Sequence, residues 1–225
     1  MNRDGLLSVL CHRILALKPG RPAAIAIDGP DAAGKSTLAD ALVAPLETRG
    51  AVVVRASIDD FERPRAERHA RGRYSAKGYY RDSFDHEALC RLLLDPLRSG
   101  VSPALVRTRA FDLVSDRPVA TRPVAVPARG VVIVDGVFLL GESLRDYWDL
   151  SVLLAVSEEE SLRRAQTRAG GASQELQRLH EARYLAGYRL YGDEAHPERV
   201  ADLVIDNNDP NNPEIREDRR APGRS

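Results

Sequence analysis

At 225 residues, with 33 Lys and Arg against 33 Asp and Glu, the chain carries a formal charge of +0. It therefore has no overall basic field, and duplex nucleic acid is not an expected partner. A hydrophobic fraction of 43% is ordinary for a globular protein, and the length suits one α/β domain or a core domain with one insertion. Two cysteines, Cys11 and Cys90, are too few for a disulfide framework or a metal cluster. Each sits in an apolar helical pattern and reads as a small core residue in a reducing compartment. No apolar run approaches membrane-spanning length and no secretory leader is recognisable, so a cytoplasmic protein without a membrane partner is expected.

Leu6, Leu7, Leu10, Ile14 and Leu17 recur at helical spacing, and Lys18-Pro19-Gly20 ends that pattern. Ala24-Ile25-Ala26-Ile27 then reads as a buried strand, and Leu38-Ala39-Asp40-Ala41-Leu42-Val43 as a helix. Between them, Gly29-Pro30-Asp31-Ala32-Ala33-Gly34-Lys35-Ser36-Thr37 matches the phosphate-binding pattern G-x-x-x-x-G-K-[ST]. In this setting the backbone N–H groups of Gly29, Asp31, Ala32, Ala33, Gly34, Lys35, Ser36 and Thr37 are expected to face a polyphosphate. Lys35 supplies charge, and the Ser36 hydroxyl is offered to Mg²⁺. A nucleoside triphosphate with magnesium is the predicted ligand.

Gly50 marks a stop, and Val52-Val53-Val54 predicts a second buried strand running into Ser57-Ile58-Asp59-Asp60-Phe61. Residues 62–82 have no clean period and read as a long functional loop or partly helical insert. Asp85-His86-Glu87 opens a helix with Ala88, Leu89, Leu92 and Leu93 on its apolar face and Pro96 near its end. Ala104-Leu105-Val106 and Val124-Ala125-Val126 read as a strand pair around a turn-rich middle. Val131-Val132-Ile133-Val134-Asp135 is a strand ending in an acid, the shape of an element that holds Mg²⁺ or its water.

A further strand is expected over 150–156, then a helix capped by Ser157 and bearing Arg163, Arg164 and Arg168. A second helix is expected over 173–191, and a last short strand at Leu203-Val204-Ile205-Asp206. From Asn207 onward a polar, Pro- and Asn-rich tail is expected to fray. The expected organisation is one domain over 1–207 with an insertion at about 60–127, a helical lid at about 157–175, and a tail over 208–225.

Phosphoryl transfer needs positioning and charge neutralisation more than covalent chemistry. Asp59 follows the second strand and is the candidate to accept the proton of an acceptor hydroxyl, with Asp60 beside it structural. The position of Asp85 suits both a sugar-hydroxyl ligand and a helix N-cap. Arg163, Arg164 and Arg168 suit either closure over a triphosphate or a solvated helix face. Asp135 assists magnesium or faces the acceptor. Phe61, Tyr79, Tyr80 and Phe111 suit an aromatic wall against a planar base or ordinary packing. His12, His69, His180 and His196 have no partners at metal-ligand spacing.

GPDAAGKST at the loop, SIDDF after the second strand, YYRDSFDHEAL with LLLDPL, RTRAFDLVSDRPV, VVIVDGVFLL and ADLVIDN occur in the order of the uridine kinase family, which the chain resembles. That family lies within the wider uridine kinase and phosphoribulokinase group. The resemblance implies a P-loop kinase fold with a parallel central sheet, a small strand-pair insertion and a helical lid. It also implies transfer of the γ-phosphate of ATP to the 5′-hydroxyl of a nucleoside, uridine or cytidine, with GTP an alternative donor and a homo-oligomer an open option. On it, Asp59 is the general base, Asp85 binds ribose hydroxyls, and Arg163, Arg164 and Arg168 are lid arginines. Tyr80, Phe111 and Asp116 lie about the acceptor.

The chain departs from the family where Asp116 falls near the position at which eukaryotic relatives carry a base-reading histidine, and where Glu62 replaces an aromatic. An acceptor-only carboxylate in place of an imidazole changes which base edge is read. Asp135-Gly136 stands where Glu-Gly is common, and Ala169 where an acid often follows the lid arginine. The rival expectations are a P-loop kinase of another alcohol, pantothenate- or sugar-like, and a nucleotide-gated regulatory module.

Overall fold

The computed structural model describes residues 1–17 and 19–220; the expected helix stop at Lys18 and the tail residues 221–225 lie outside them. Helix α1 (Arg3–Ala16) precedes β1 (Ala23–Asp28) and α2 (Lys35–Glu47), and β2 (Val53–Ser57) leads into a 3-10 turn at Ile58–Phe61. Four short helices follow: α3 (Arg65–Arg68), α4 (Ala76–Asp82), α5 (His86–Leu89) and α6 (Asp95–Arg98). Then come β3 (Ala104–Val106), β4 (Phe111–Asp112), β5 (Arg117–Pro118) and β6 (Val124–Val126). The second half holds β7 (Val131–Asp135), β8 (Leu150–Ala155), α7 (Glu158–Arg168), α8 (Gln174–Leu179), α9 (Ala186–Ala195), α10 (Pro197–Val200), β9 (Leu203–Asp206) and β10 (Glu214–Asp218).

The central sheet runs β10-β9-β8-β1-β7-β2, with β2, β7, β1, β8 and β9 parallel and β10 antiparallel at the edge. Strands covered by helices on both faces must be apolar throughout, and β1 and β7 are buried at every position. Side chains alternate between faces. Ile25, Ile27, Val131 and Ile133 pack with Leu10 and Ile14 of α1 and Leu38, Leu42 and Leu46 of α2. Ala24, Ala26, Val132 and Val134 face the other way, onto Leu89, Leu93, Phe138 and Tyr191. Each large side chain so enclosed contributes about 1.5–3 kcal/mol. Among the described residues no helix is long and apolar enough to cross a membrane.

The insertion contains the expected strand pair: β3 and β6 are antiparallel, with Ala104 opposite Val126. A second small hairpin pairs Phe111 with Pro118 and Asp112 with Arg117. Residues 62–82, which lack an apolar period, are helical at α3 and α4; Ser75 caps α4 by accepting from Gly78 N. The helix expected over 173–191 runs as α8, a π-helical segment at His180–Leu185, and α9.

The expectation of a fraying tail from Asn207 is corrected. β10 pairs with β9, placing Glu214 opposite Asp206 and Ile215 opposite Ile205. Only Ile215 packs on the core, so an apolar-pattern reading has little to find; the rest of the strand is polar because it lies at an edge. Side-chain ion pairs fix it: Asp218 to Arg13 at 2.5 Å, Asp206 to Arg216, and beyond the strand Arg220 to Asp202 at 2.6 Å.

Candidate active site

The carboxyl ends of β1, β2, β7 and β9 open on one cavity of about 500 Å³, the place where open parallel sheets present ligands with backbone and loop groups. Its floor is the loop after β1. Gly29 has φ 151°, and a Cβ there would lie 2.5 Å from the Leu154 carbonyl oxygen, so only glycine lets the loop pass so close to β8. Gly34 enters α2 in a left-handed conformation (φ 93°), and no side chain caps the helix. Its first N–H groups are thus left for an anion. Asp31, Ala32, Gly34, Lys35, Ser36 and Thr37 line the cavity, whereas Gly29 and Ala33 stand behind the loop.

Four carboxylates surround the one lysine. Burial lowers the Lys35 ammonium below its ordinary range, while Asp31, Asp28, Asp59 and Asp135 each oppose that shift. Lys35 Nζ rests on the Pro30 carbonyl at 2.6 Å. Asp59, at the mouth of β2, faces this cavity. Desolvation in the cleft raises its carboxyl, Lys35 opposes, and Asp135 and Asp31 add to the rise. Asp135 is almost enclosed, held by Arg55 at 2.7 Å and accepting from Ser36 Oγ at 2.5 Å. A hydroxyl and a carboxylate oxygen so placed form a hard donor pair of the kind that holds Mg²⁺ together with phosphate oxygens. No cluster of three His, Cys, Asp or Glu suited to a metal occurs among the described residues.

The arginine helix divides. Arg168 lines the cavity and pairs with Asp31 at 3.2 Å. Arg164 also lines it, bridging Glu160 and the Asn207 and Asn208 carbonyls at 2.7 and 3.0 Å. Arg163 points away, 63% exposed and bound to Glu160. Behind Arg168, the buried His180 links α7 to the loop: its Nε2 lies 3.0 Å from Ser161 Oγ, and that hydroxyl donates to the Asp31 carbonyl at 2.7 Å.

Of the acceptor residues anticipated from sequence, Asp59 and Arg168 line this cavity, and Asp85, Tyr80, Phe111 and Asp116 do not. Asp85 accepts from Ala88 N at 2.9 Å as the cap of α5. Phe111 is 3% exposed, packed in the insertion. Tyr80 stacks edge-on with Phe138 and carries Arg81 over its ring. Asp116, at φ 54°, accepts from Arg65 N at 2.9 Å and pairs with Arg68 at 3.3 Å. Tyr79, one residue earlier than Tyr80, lines the cavity instead, held by edge contacts with Phe138 and Tyr184.

Three further contributors carry weak sequence signals. Asn207 donates through Nδ2 to the Ala33 carbonyl at 2.8 Å, bracing the loop from β9. Asp28, buried completely at the end of β1, accepts from Gly29 N at 2.6 Å, Tyr191 Oη at 2.5 Å and Leu140 N at 3.1 Å. Burial raises its carboxyl to about 6 against these hydrogen bonds. Arg3 and Leu6 of α1 and Pro210, Asn211 and Pro213 of the tail close the far wall. A terminal acid on an apolar strand is the one signal that marks Asp28.

No protein-family model and no curated protein matches the chain. Solved structures do. A possible uridine kinase from Bacillus stearothermophilus is 25% identical with a TM-score of 0.68, covering 88% of this chain and 96% of its own. A candidate fructose transport system kinase from Silicibacter sp. TM1040 is 26% identical with a TM-score of 0.71, covering 88% and 98%. Phosphoribulokinase from Rhodobacter spheroides, at 14% identity and a TM-score of 0.56 over 83% and 70%, is similar in fold alone. The fold is thus α/β, with a mostly parallel sheet flanked by helices as in P-loop kinases, plus extra antiparallel strand pairs. The kinase neighbours support a phosphotransferase.

Proposed function

We propose that this chain transfers the γ-phosphoryl group of ATP to the hydroxyl of a small-molecule alcohol. The observation that carries the reading is the placement of Lys35 and Asp59 in one cavity, above an uncapped helix N-terminus. The loop N–H groups and Lys35 hold the β- and γ-phosphates, and Arg168 swings from Asp31 onto the transferring group. Asp59 accepts the acceptor's proton as the new O–P bond forms and the bond to the ADP oxygen breaks. Ser36 and Asp135 would hold Mg²⁺, which neutralises phosphate charge when bound. Arg164, the Asn207–Asn208 turn and the residues of α1 and the tail form the wall against which the nucleoside of the donor rests.

Likeness alone leaves the acceptor open between a nucleoside, uridine or cytidine, as in the possible uridine kinase, and a sugar, as in the candidate fructose transport system kinase. The test is ADP release with Mg²⁺ and ATP over a panel of nucleosides, sugars and hydroxy acids. Acceptor-dependent ADP formation is expected. Slow turnover that no acceptor changes would remove the kinase reading in favour of a nucleotide-gated module.

A further inference from the structure

Beside the main cavity lies a second one of about 350 Å³, and the ring of Tyr79 belongs to the wall of both. Four arginines line it, Arg65, Arg68, Arg73 and Arg183, against two carboxylates, Glu62 and Asp116. Arg183 is the unusual member. It projects from the π-helical segment and is only 4% exposed, over the face of Tyr79.

Its guanidinium touches only uncharged oxygens: the carbonyls of Arg73, Ser75 and Arg68 at 3.3–3.5 Å and Ser83 Oγ at 3.1 Å. Among the described residues no carboxylate lies within ion-pair distance of it. A buried guanidinium without a counter-charge is costly, and long contacts to carbonyls do not neutralise it. Arg68 is shared between Glu62 at 2.8 Å and Asp116 at 3.3 Å, and Arg73 pairs with Glu175 on the open side at 3.1 Å. Arg65 uses its backbone N–H, not its side chain, on Asp116. The field is positive enough that His69, on the same wall, is pushed below its ordinary range by burial and then by Arg183, Arg68, Arg65 and Arg73 in turn.

We infer that the acceptor alcohol carries an anionic group, a carboxylate or a phosphate, which Arg183 and its neighbouring arginines receive in this second cavity while the hydroxyl faces Asp59 across Tyr79. The inference rests on the kinase reading above and names its substrate class. A planar or tetrahedral oxyanion meets the fork of a guanidinium in two parallel hydrogen bonds; at Arg183 these would replace the long contacts to the Arg73 and Ser75 carbonyls at 3.4 and 3.5 Å, and no neutral sugar or pyrimidine edge offers the charge to do so. The cavity is large enough for such a group with a few carbons attached.

The experiment uses matched acceptors on one skeleton, ribose, ribonate and ribose 5-phosphate, then glycerol, glycerate and glycerol 3-phosphate, with uridine as the neutral nucleoside. ADP formation and equilibrium binding are measured on the full chain. An anionic member of a series is expected to exceed its neutral counterpart in kcat/KM by about 10–100-fold, the weight of a charge-assisted pair. Whether carboxylate or phosphate wins identifies the group. Arg183→Gln should raise KM for that acceptor by a similar factor with KM for ATP unchanged. Because Arg183 also braces a loop, Arg65→Ala, at an exposed position, is the second variant and should raise the same KM by a smaller factor.

Preference for uridine or a neutral sugar, or an acceptor KM indifferent to both substitutions, overturns the inference while ADP formation leaves the kinase reading standing. Anion binding that both variants weaken, without ADP formation from any acceptor, supports the anion site and removes the kinase reading instead. Anion binding absent from the native chain overturns the site itself.

Discussion

The two adjoining cavities are built from opposite materials. The first is a ring of acids, Asp28, Asp31, Asp59 and Asp135, around a single lysine at the ends of parallel strands. The second is a ring of arginines on short helices and a π-helical segment, with few carboxylates to answer them. If the first holds the donor and the second the acceptor, as proposed, a two-substrate site separates its tasks by charge. A cation-bearing polyphosphate is matched by acids, hydroxyls and backbone N–H groups that share a divalent ion with it. On the inference above, a small acceptor would be held chiefly by side-chain charge, on short helices, a turn and a π-helical segment.

Asp59 stands at the junction, and its substitution cuts deepest into that division. Asp59→Asn should lower kcat by about 10²–10⁴-fold, the weight of a positioned base, with ATP affinity nearly intact. Single-turnover kinetics and nucleotide titration measure the two separately; an unchanged kcat would remove Asp59 from the base role. It would also dissolve the distinction drawn between the cavities.

A middle-sized effect concerns the acid ring's foundation. The carboxyl of Asp28 rises from an ordinary 3.8 to about 6 in the fold. Between those values the native state holds a proton that the unfolded chain has released, so stability falls as pH rises from about 4 to 6 and is level above. The change is about 3 kcal/mol at most. Asp28→Asn has no such proton, so denaturant titrations should find its stability gaining on the native protein by up to that amount over the same window. Parallel curves for the two proteins across pH 4–6 would place the titration elsewhere.

The smallest effect is expected at Arg163. Its guanidinium is exposed and bound to Glu160 away from both cavities, so Arg163→Ala should change kcat/KM by less than about twofold. Arg168→Ala, which takes away the ion partner of Asp31 in the cavity, should exceed it clearly in the same assay. Equal losses would mean that Arg163 turns inward during turnover.

The donor side is legible in the sequence because it is local. Gly29 to Thr37 is one continuous motif between a strand and a helix, and Asp59 and Asp135 each end a β-branched or apolar run. The parallel order of five strands follows from the same runs. Asn207 and the closing wall escape detection, since the segment from Asn207 to Pro213 is polar and the wall is completed by Arg3 and Leu6 from the other end of the chain.

The acceptor side is illegible for a different reason. Arg65 and Arg68 meet Arg183 across more than a hundred residues, and a scattered arginine in a chain with 33 basic residues carries no signal of its own. Of the motif-derived acceptor residues, Asp85 caps a helix and Phe111 is packed in the insertion, while Asp116 lines the second cavity in a pair with Arg68.

The π-helical segment at His180–Leu185 has a consequence of its own. Such a segment is one residue more than an α-helix needs over the same rise. Removing a single residue there would let α8 run straight into α9 as one regular helix, with the faces on either side of the segment kept. Tyr191 would keep its hydrogen bond to Asp28 at the end of β1, while Arg183, inside the segment, would lose its place over Tyr79. If an acceptor binds there, the charge presented to it is set by the count of residues in one helix as much as by their identity. Insertions and deletions become a direct route by which such a site changes its diet while its phosphate loop stays as it is.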